Sequence, residues 1–411
     1  MRHPVRSFVK NEFASLTTIF ALSAPVMAGT IAMGIDLGRT ELAHKQALRA
    51  AEAGAVSAAV AYQANNNSDL NQEVTQVVAK YGFNSANKST ITVNRPPSKG
   101  ASANMPAAVE VIITQPQPSY FAALVWQGAL SVTGRAVAKG GPNICILALN
   151  PTASAAVGGQ GNVTVNANNC SIYSNSADSD SISVGGSSRM SALVVSAVGN
   201  VEGQSSITAT NGVLTQQNPT PDPYASVNFP SYSGCTTKSP MYQYTEYLMP
   251  GVYCGGMTLN SGANVTLSPG VYVMDQGLLT VNGGATLQGS GVTIVFTSSS
   301  GNNYASAKIN GGAVVNLTPP SSGDLAGIVL YGDRAMPTGT TFNLGGGSYQ
   351  YFGGAIYLPK GAISYAGTST ASTSCTQIVG DTINFVGNSG VTVNCTGVGV
   401  HNIGAAAKVL E

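Results

Sequence analysis

The chain has 411 residues, a formal net charge of +1 and only 9% charged side chains, where about a quarter is usual for soluble domains. That length exceeds one ordinary core, so two or more domains are expected. No basic patch follows the first dozen residues, which argues against a nucleic-acid partner. A hydrophobic share of 43% in short β-branched runs argues against disorder despite 49 Gly, because a disordered chain lacks that burial capacity.

Arg2, Arg6 and Lys10 precede an uncharged run over residues 13–35, about the length of a membrane-crossing helix. Positive charge ahead of it predicts insertion with the N-terminus in the cytoplasm. The competing reading is a signal peptide cleaved after Val26-Met27-Ala28. The anchor is preferred because apolar residues continue through Ile31, Met33 and Ile35, and a helical pattern then runs over residues 37–64. Glu41 with Lys45 and Arg49 with Glu52 have helix-supporting spacings, and about half of residues 47–64 are Ala, the best helix former. Ala51, Gly54 and Ala58 lie three or four apart on one helix face. Such small residues let helices approach closely.

Three segments carry a family resemblance: Phe20-Ala21-Leu22-Ser23-Ala24-Pro25, Gly34-Ile35-Asp36-Leu37-Gly38-Arg39, and the Ala-rich run Ala47-Leu48-Arg49-Ala50-Ala51-Glu52-Ala53-Gly54-Ala55. Together they resemble the N-terminus of TadG-like proteins of the Tad (Flp) pilus assembly system. The resemblance covers roughly the first 65 residues. It implies a single-pass inner-membrane protein of a pilus or secretion apparatus, in contact with the lipid bilayer and with other pilus-assembly membrane proteins. The face of Ala51, Gly54 and Ala58 is then expected to pack against helices of those partners. At Asn11-Glu12-Phe13 there is no Gly of the kind that precedes a prepilin cleavage site, and no Glu five residues into a mature chain follows; no Asp opens the D-x-S-x-S pattern of a von Willebrand factor A metal site.

Residues 70–82 place Leu70, Val74, Val77, Val78 and Tyr81 on one helical stripe. Strands are expected at 91–93, 109–113 and 131–138, with a short helix over 119–130. This gives a small α+β domain, with Trp126 in its core.

From about residue 143 short strands alternate with Gly/Asn corners. Asn260, Asn282 and Asn310 mark similar corners, and their unequal periods, about 22 and then about 28 residues, suit coils of a parallel β-helix. A β-sandwich is the alternative. The Cys-bearing segments also look like β-helix modules attached to some TadG-like proteins, over roughly residues 144–400. Residues 213–250, rich in Pro, Gln and Tyr, read as an excursion from the coils.

Six cysteines in a chain with an export signal predict disulfides. Pairing by position gives Cys145 with Cys170, Cys235 with Cys254, and Cys375 with Cys395, out of fifteen connectivities. Asp275, Asp324, Asp333 and Asp381 are scattered, and Asp333-Arg334 reads as a surface turn with a local ion pair. Asp178 and Asp180 fall in a Ser/Asn-rich loop, and His401 stands alone near the C-terminus. No phosphate loop, nucleophile elbow or metal motif appears.

The expected fold is therefore mainly β. A cytoplasmic tip and transmembrane helix (1–37) lead into a helical stem and small α+β, pilin-like domain (38–143), a right-handed parallel β-helix (144–402) and a tail (403–411). The expected function is non-catalytic: a structural, assembly or display component, anchored in the inner membrane with its bulk periplasmic or cell-surface, without cofactor or metal. The alternative is a carbohydrate-binding or carbohydrate-active β-helix protein that meets a surface glycan.

Overall fold

A computed structural model describes residues 12–64, 69–118, 130–141, 143–347, 350–367, 375–386, 388–390, 400, 403 and 407–411. The chain is mainly β and divides into two compact units. The first comprises residues 1–141 with 406–411, and the second residues 142–405.

The first unit begins with α1 (Glu12–Ala64), one helix of 53 residues that continues through Pro25. At 1.5 Å per residue it is about 80 Å long. Its two halves differ in what they touch. Ile19, Phe20, Leu22, Val26, Met27, Ile31, Met33, Ile35 and Leu37 are exposed, whereas Ala47, Ala50, Ala51, Ala55, Ala58 and Ala59 are buried. The buried alanines recur at helical spacing and form one stripe. That stripe packs on α2 (Leu70–Ala79) and on a sheet containing β1 (Thr90–Asn94), β2 (Ala108–Gln117) and β3 (Leu130–Lys139). All three strands are antiparallel neighbours, and the strand Lys408–Val409 pairs antiparallel with β3 at the far edge. The expected elements at 70–82, 91–93, 109–113 and 131–138 are thus present. The expected helix over 119–130, with Trp126, falls almost wholly outside the described residues.

In the second unit every strand pairing among the described residues is parallel. This overturns the β-sandwich alternative, whose sheets are antiparallel. The pairing offsets match the corner periods. Asn264 lies opposite Thr286, the same step as from Asn260 to Asn282, and Thr286 lies opposite Val314, the same step as from Asn282 to Asn310. Inward side chains stack in columns such as Val265, Leu287 and Val315. Two inner tyrosines pair their hydroxyls with backbone. Tyr253 donates to Met249 O at 2.8 Å and Tyr272 to Leu248 O at 2.7 Å, and their rings stack at 5.8 Å.

Spatial order departs from chain order. The strand Thr376–Phe385, near the end of the unit, pairs with Ile144–Ala148 at its beginning, Ile378 opposite Ile146. From that junction one arm of the ladder runs through Thr164–Ser174 and Arg189–Ala197 to Ile207–Ala209 and Val213–Leu214. The other runs back through Gly354–Gly367, Ile328–Gly332, Val292–Thr297, Gly270–Val281 and Gly251–Leu259 to Thr237–Lys238 and Met241–Tyr242. Residues 215–236 must therefore travel from one end of the ladder to the other. The excursion is shorter than the expected 213–250, because 213–214, 237–238, 241–242 and 245–248 are ladder strands.

A second ladder has five strands: Thr245–Leu248, Asn264–Leu267, Thr286–Gly289, Val314–Leu317 and Gln350–Phe352. The two ladders are buried differently. Ile144–Ala148, Val292–Thr297 and Ile328–Gly332 are buried at every position, as in a parallel sheet covered on both faces. The five-stranded sheet alternates, with Val265, Leu267, Leu287, Val315 and Leu317 buried, Asn264 and Asn316 exposed, and Thr266, Thr286, Gln288 and Val314 half-buried.

Candidate functional site

What covers the outer face of the larger sheet is the crossing segment 215–236. Leu147, Tyr173, Val252, Val273, Val295, Tyr331, Tyr357 and Val379 form an apolar cluster on that face, and Tyr224, Val227, Phe229 and Tyr232 of the crossing segment pack with them. The attachments follow the order of the ladder. The Tyr173 hydroxyl donates to Asn218 O at 2.5 Å, and Asn175 exchanges two 2.8 Å bonds with the Thr220 backbone. The Tyr224 hydroxyl donates to Gln377 Oε1 at 2.5 Å, and Gln377 Nε2 donates to Ile144 O at 3.1 Å. Arg334 donates to Tyr224 O and, at 3.0 Å, to Val227 O. The disulfide Cys235–Cys254 closes the far end.

A polar network lies at the centre of this cover. The Tyr357 hydroxyl donates to Asp222 Oδ2 at 2.7 Å and accepts from Arg334 Nε at 2.8 Å. Asp222 Oδ1 accepts from Tyr224 N at 2.9 Å. Burial, reinforced by the Asp222 carboxylate, pushes the Tyr357 phenol far above its usual range, so it stays a neutral donor. Asp333-Arg334 is accordingly not the expected local ion pair. Arg334 reaches the crossing segment, while Asp333 accepts from Thr297 Oγ1 at 2.7 Å and from Ala335 N at 2.8 Å.

The other acids are held separately. Asp275 accepts from Ser299 N at 2.6 Å and Ser299 Oγ at 2.7 Å. Asp381 accepts from Asn150 Nδ2 at 3.0 Å, and burial raises its pKa despite that bond and the nearby Lys360. Asp178 and Asp180 share a turn, Asp180 N donating to Asp178 Oδ1 at 3.1 Å. Among the described residues no group of three or more His, Cys, Asp or Glu converges as a metal site would require. Asp324 borders an open groove of about 530 Å³ between the crossing segment and the ladder corners, lined also by Asn228, Phe229, Pro230, Val271 and Leu325. His401 and Cys395 lie outside the described residues.

Two expected disulfides are present, Cys145–Cys170 and Cys235–Cys254. Cys375 is also disulfide-bonded; its expected partner is Cys395. Ala51, Gly54 and Ala58 are buried, but against the chain's own α2 and sheet. A Cβ on Gly54 would lie 3.1 Å from Val78 and 3.2 Å from Val74. That face is covered from within the unit, which corrects the expectation that it meets helices of other subunits.

One charged cluster in the first unit is not among the expected site residues. Glu110, fully buried, accepts from Arg135 Nε at 2.6 Å, Ser98 Oγ at 2.7 Å and Asn94 Nδ2 at 2.8 Å. Burial alone would raise its pKa, but the bonds from Ser98, Asn94 and Arg135 outweigh it and hold the carboxyl at about 2. Arg135 also donates to Glu411 Oε2 at 2.8 Å, and Glu411 Oε1 accepts from Ser102 N at 2.6 Å. Residues 408–411 are thus part of this unit and not a loose tail. The legible signal was a Glu and an Arg in the interior of two expected strands, each flanked by apolar residues.

No known protein family, no curated protein and no solved structure matches this chain.

Proposed function

We propose that the protein is a non-catalytic, membrane-anchored component of a bacterial envelope assembly, of the kind the TadG-like resemblance implies, with everything that follows its membrane helix held outside the cytoplasm. The observation that carries this reading is the division within α1. One half exposes a run of large apolar side chains long enough to cross a bilayer, and the other half is the core of a folded unit. Leaving the apolar half in water would cost roughly 25 cal/mol per Å2 of apolar surface, so a lipid surface is its natural solvent. Disulfides belong to an oxidising compartment, which supports a position for the second unit on the far side of that membrane. The unit itself is read as a right-handed parallel β-helix, supported by parallel pairing whose offsets repeat the steps between the Asn corners. The buried acids and tyrosines under the crossing segment serve to fasten that segment, consistent with a structural role. The partners are other membrane proteins of the assembly, met through surfaces other than the buried face of Ala51, Gly54 and Ala58.

The test is fractionation of cells expressing the full chain. Recovery in the inner membrane, resistant to carbonate extraction, is expected, with release on deletion of residues 13–35. A soluble full-length chain would end the anchor reading. Failure to co-purify with any envelope assembly would end the assembly reading alone.

A further inference from the structure

The five-stranded sheet differs from the larger one in having a bare outer face. Register aligns its outward positions into columns. Tyr247, Thr266, Gln288, Asn316 and Tyr351 form one; Thr245, Asn264, Thr286 and Val314 form the next. None of these residues is charged, and only Val314 is aliphatic. The rest offer hydroxyls and carboxamides that both donate and accept. Gln288 Nε2 donates to Thr266 Oγ1 at 3.1 Å, which ties two neighbouring side chains of the central column together. Beside it runs a second amide ladder at the corners, Asn310 Nδ2 donating to Asn282 Oδ1 at 3.0 Å and Asn282 Nδ2 to Asn260 Oδ1 at 3.5 Å.

Aromatic rings stand at both ends of the central column. Tyr247 is 76% exposed. Tyr351 is half-buried, and its hydroxyl lies 2.9 Å from where a Cβ on Gly353 would be, so the ring lies close over that glycine. Four inter-strand steps of ~4.8 Å separate the two tyrosines by about 19 Å.

This chemistry selects a partner. An acidic polymer finds no cation on the face, and an apolar surface would leave its amides and hydroxyls unpaired, which is costly. A linear, hydroxyl-rich, uncharged chain meets repeated donors and acceptors at one spacing, with a ring to stack on at each end. We infer that the outer face of the five-stranded sheet is a binding platform for a linear neutral polysaccharide, lying across the strands between Tyr247 and Tyr351.

Affinity electrophoresis of the full-length protein in mild non-ionic detergent tests this, with hydroxyethylcellulose, galactomannan or dextran in the gel and polygalacturonate as the acidic comparison. Retardation by at least one linear neutral polymer is expected, and none by polygalacturonate. The double variant Tyr247→Ala/Tyr351→Ala should weaken retardation about tenfold, the loss of two ring contacts of ordinary stacking size. Its melting curve and disulfide content would show that the fold is kept. Should that variant misfold, Gln288→Arg puts a cation in the middle of the face, and is expected to lose the neutral polymer and gain polygalacturonate. Absence of retardation by every neutral polymer, equal retardation by polygalacturonate, or retardation untouched by these substitutions would each overturn the proposal. So would sedimentation showing a dimer that Gln288→Arg dissolves, since the occupant would then be a second copy. The readout uses purified protein and does not depend on where the chain resides in the cell, so it stands or falls separately from the anchor reading.

Discussion

Gly134 sets how closely α1 approaches its sheet. A Cβ at this position in β3 would lie 2.3 Å from the backbone carbon and oxygen of Ala47, and backbone cannot give way as the end of a side chain can. Gly134→Ala is expected to cost about 1–3 kcal/mol, the usual range for overpacking. It should appear as earlier urea unfolding and faster amide exchange in β2, with the second unit unchanged. Glu110 supplies a pH dependence in the same unit. Its folded pKa of about 2 lies below the ordinary carboxylate value near 4.3. Its contribution is therefore complete above that ordinary value and is lost as pH falls from there toward 2. Stability of the unit should be flat from pH 7 to 5 with respect to this group and decline below. Glu110→Gln should remove that part of the decline while lowering stability at neutral pH, as followed by acid titration with hydrogen exchange. The sequence showed the small residues of α1 but not their target. Ala51, Gly54 and Ala58 read equally well as a face for another helix or for a sheet, and nothing in local spacing distinguishes the two.

At the scale of elements, helix and strand positions were legible because their periodicities are local. The stripe Leu70, Val74, Val77, Val78 and the corners at Asn260, Asn282 and Asn310 needed no tertiary information. The ends of the ladder were not legible, because a strand reads the same whether it lies inside or at an edge. The edge strand Thr245–Leu248 illustrates this. Glu246 lies opposite Val265 in register, in a column continued by Leu287 and Val315. A carboxylate where the next strand would need an apolar residue blocks further stacking, one of the ways edge strands avoid pairing with other chains. Glu246→Val should therefore promote end-to-end association, seen as concentration-dependent oligomers or fibres in sedimentation, with little loss of melting temperature. A variant that stays monomeric at high concentration would show that the neighbouring Tyr242 and the exposed rim suffice as a cap.

At the scale of the whole molecule, the least legible feature was the spatial order of the strands. Residues 144–148 and 376–385 are far apart in the chain yet adjacent in the ladder, and the crossing segment 215–236 exists to connect the two distant ends. Its prolines marked it as irregular, but its route follows from partners scattered over the unit: Tyr173, Gln377, Arg334 and Cys254. The division of α1 into an exposed apolar half and a buried small-residue half was legible as composition, and that division underlies the proposed placement, outside the cytoplasm, of everything that follows the membrane helix. Protease added to intact spheroplasts that express the full chain tests this placement most directly. The chain beyond the membrane helix is expected to be reached from outside, the disulfide-linked second unit to survive as a resistant fragment, and a short N-terminal piece to remain with the membrane. Full protection of the chain until the membrane is broken, with its cysteines open to alkylation, would contradict it.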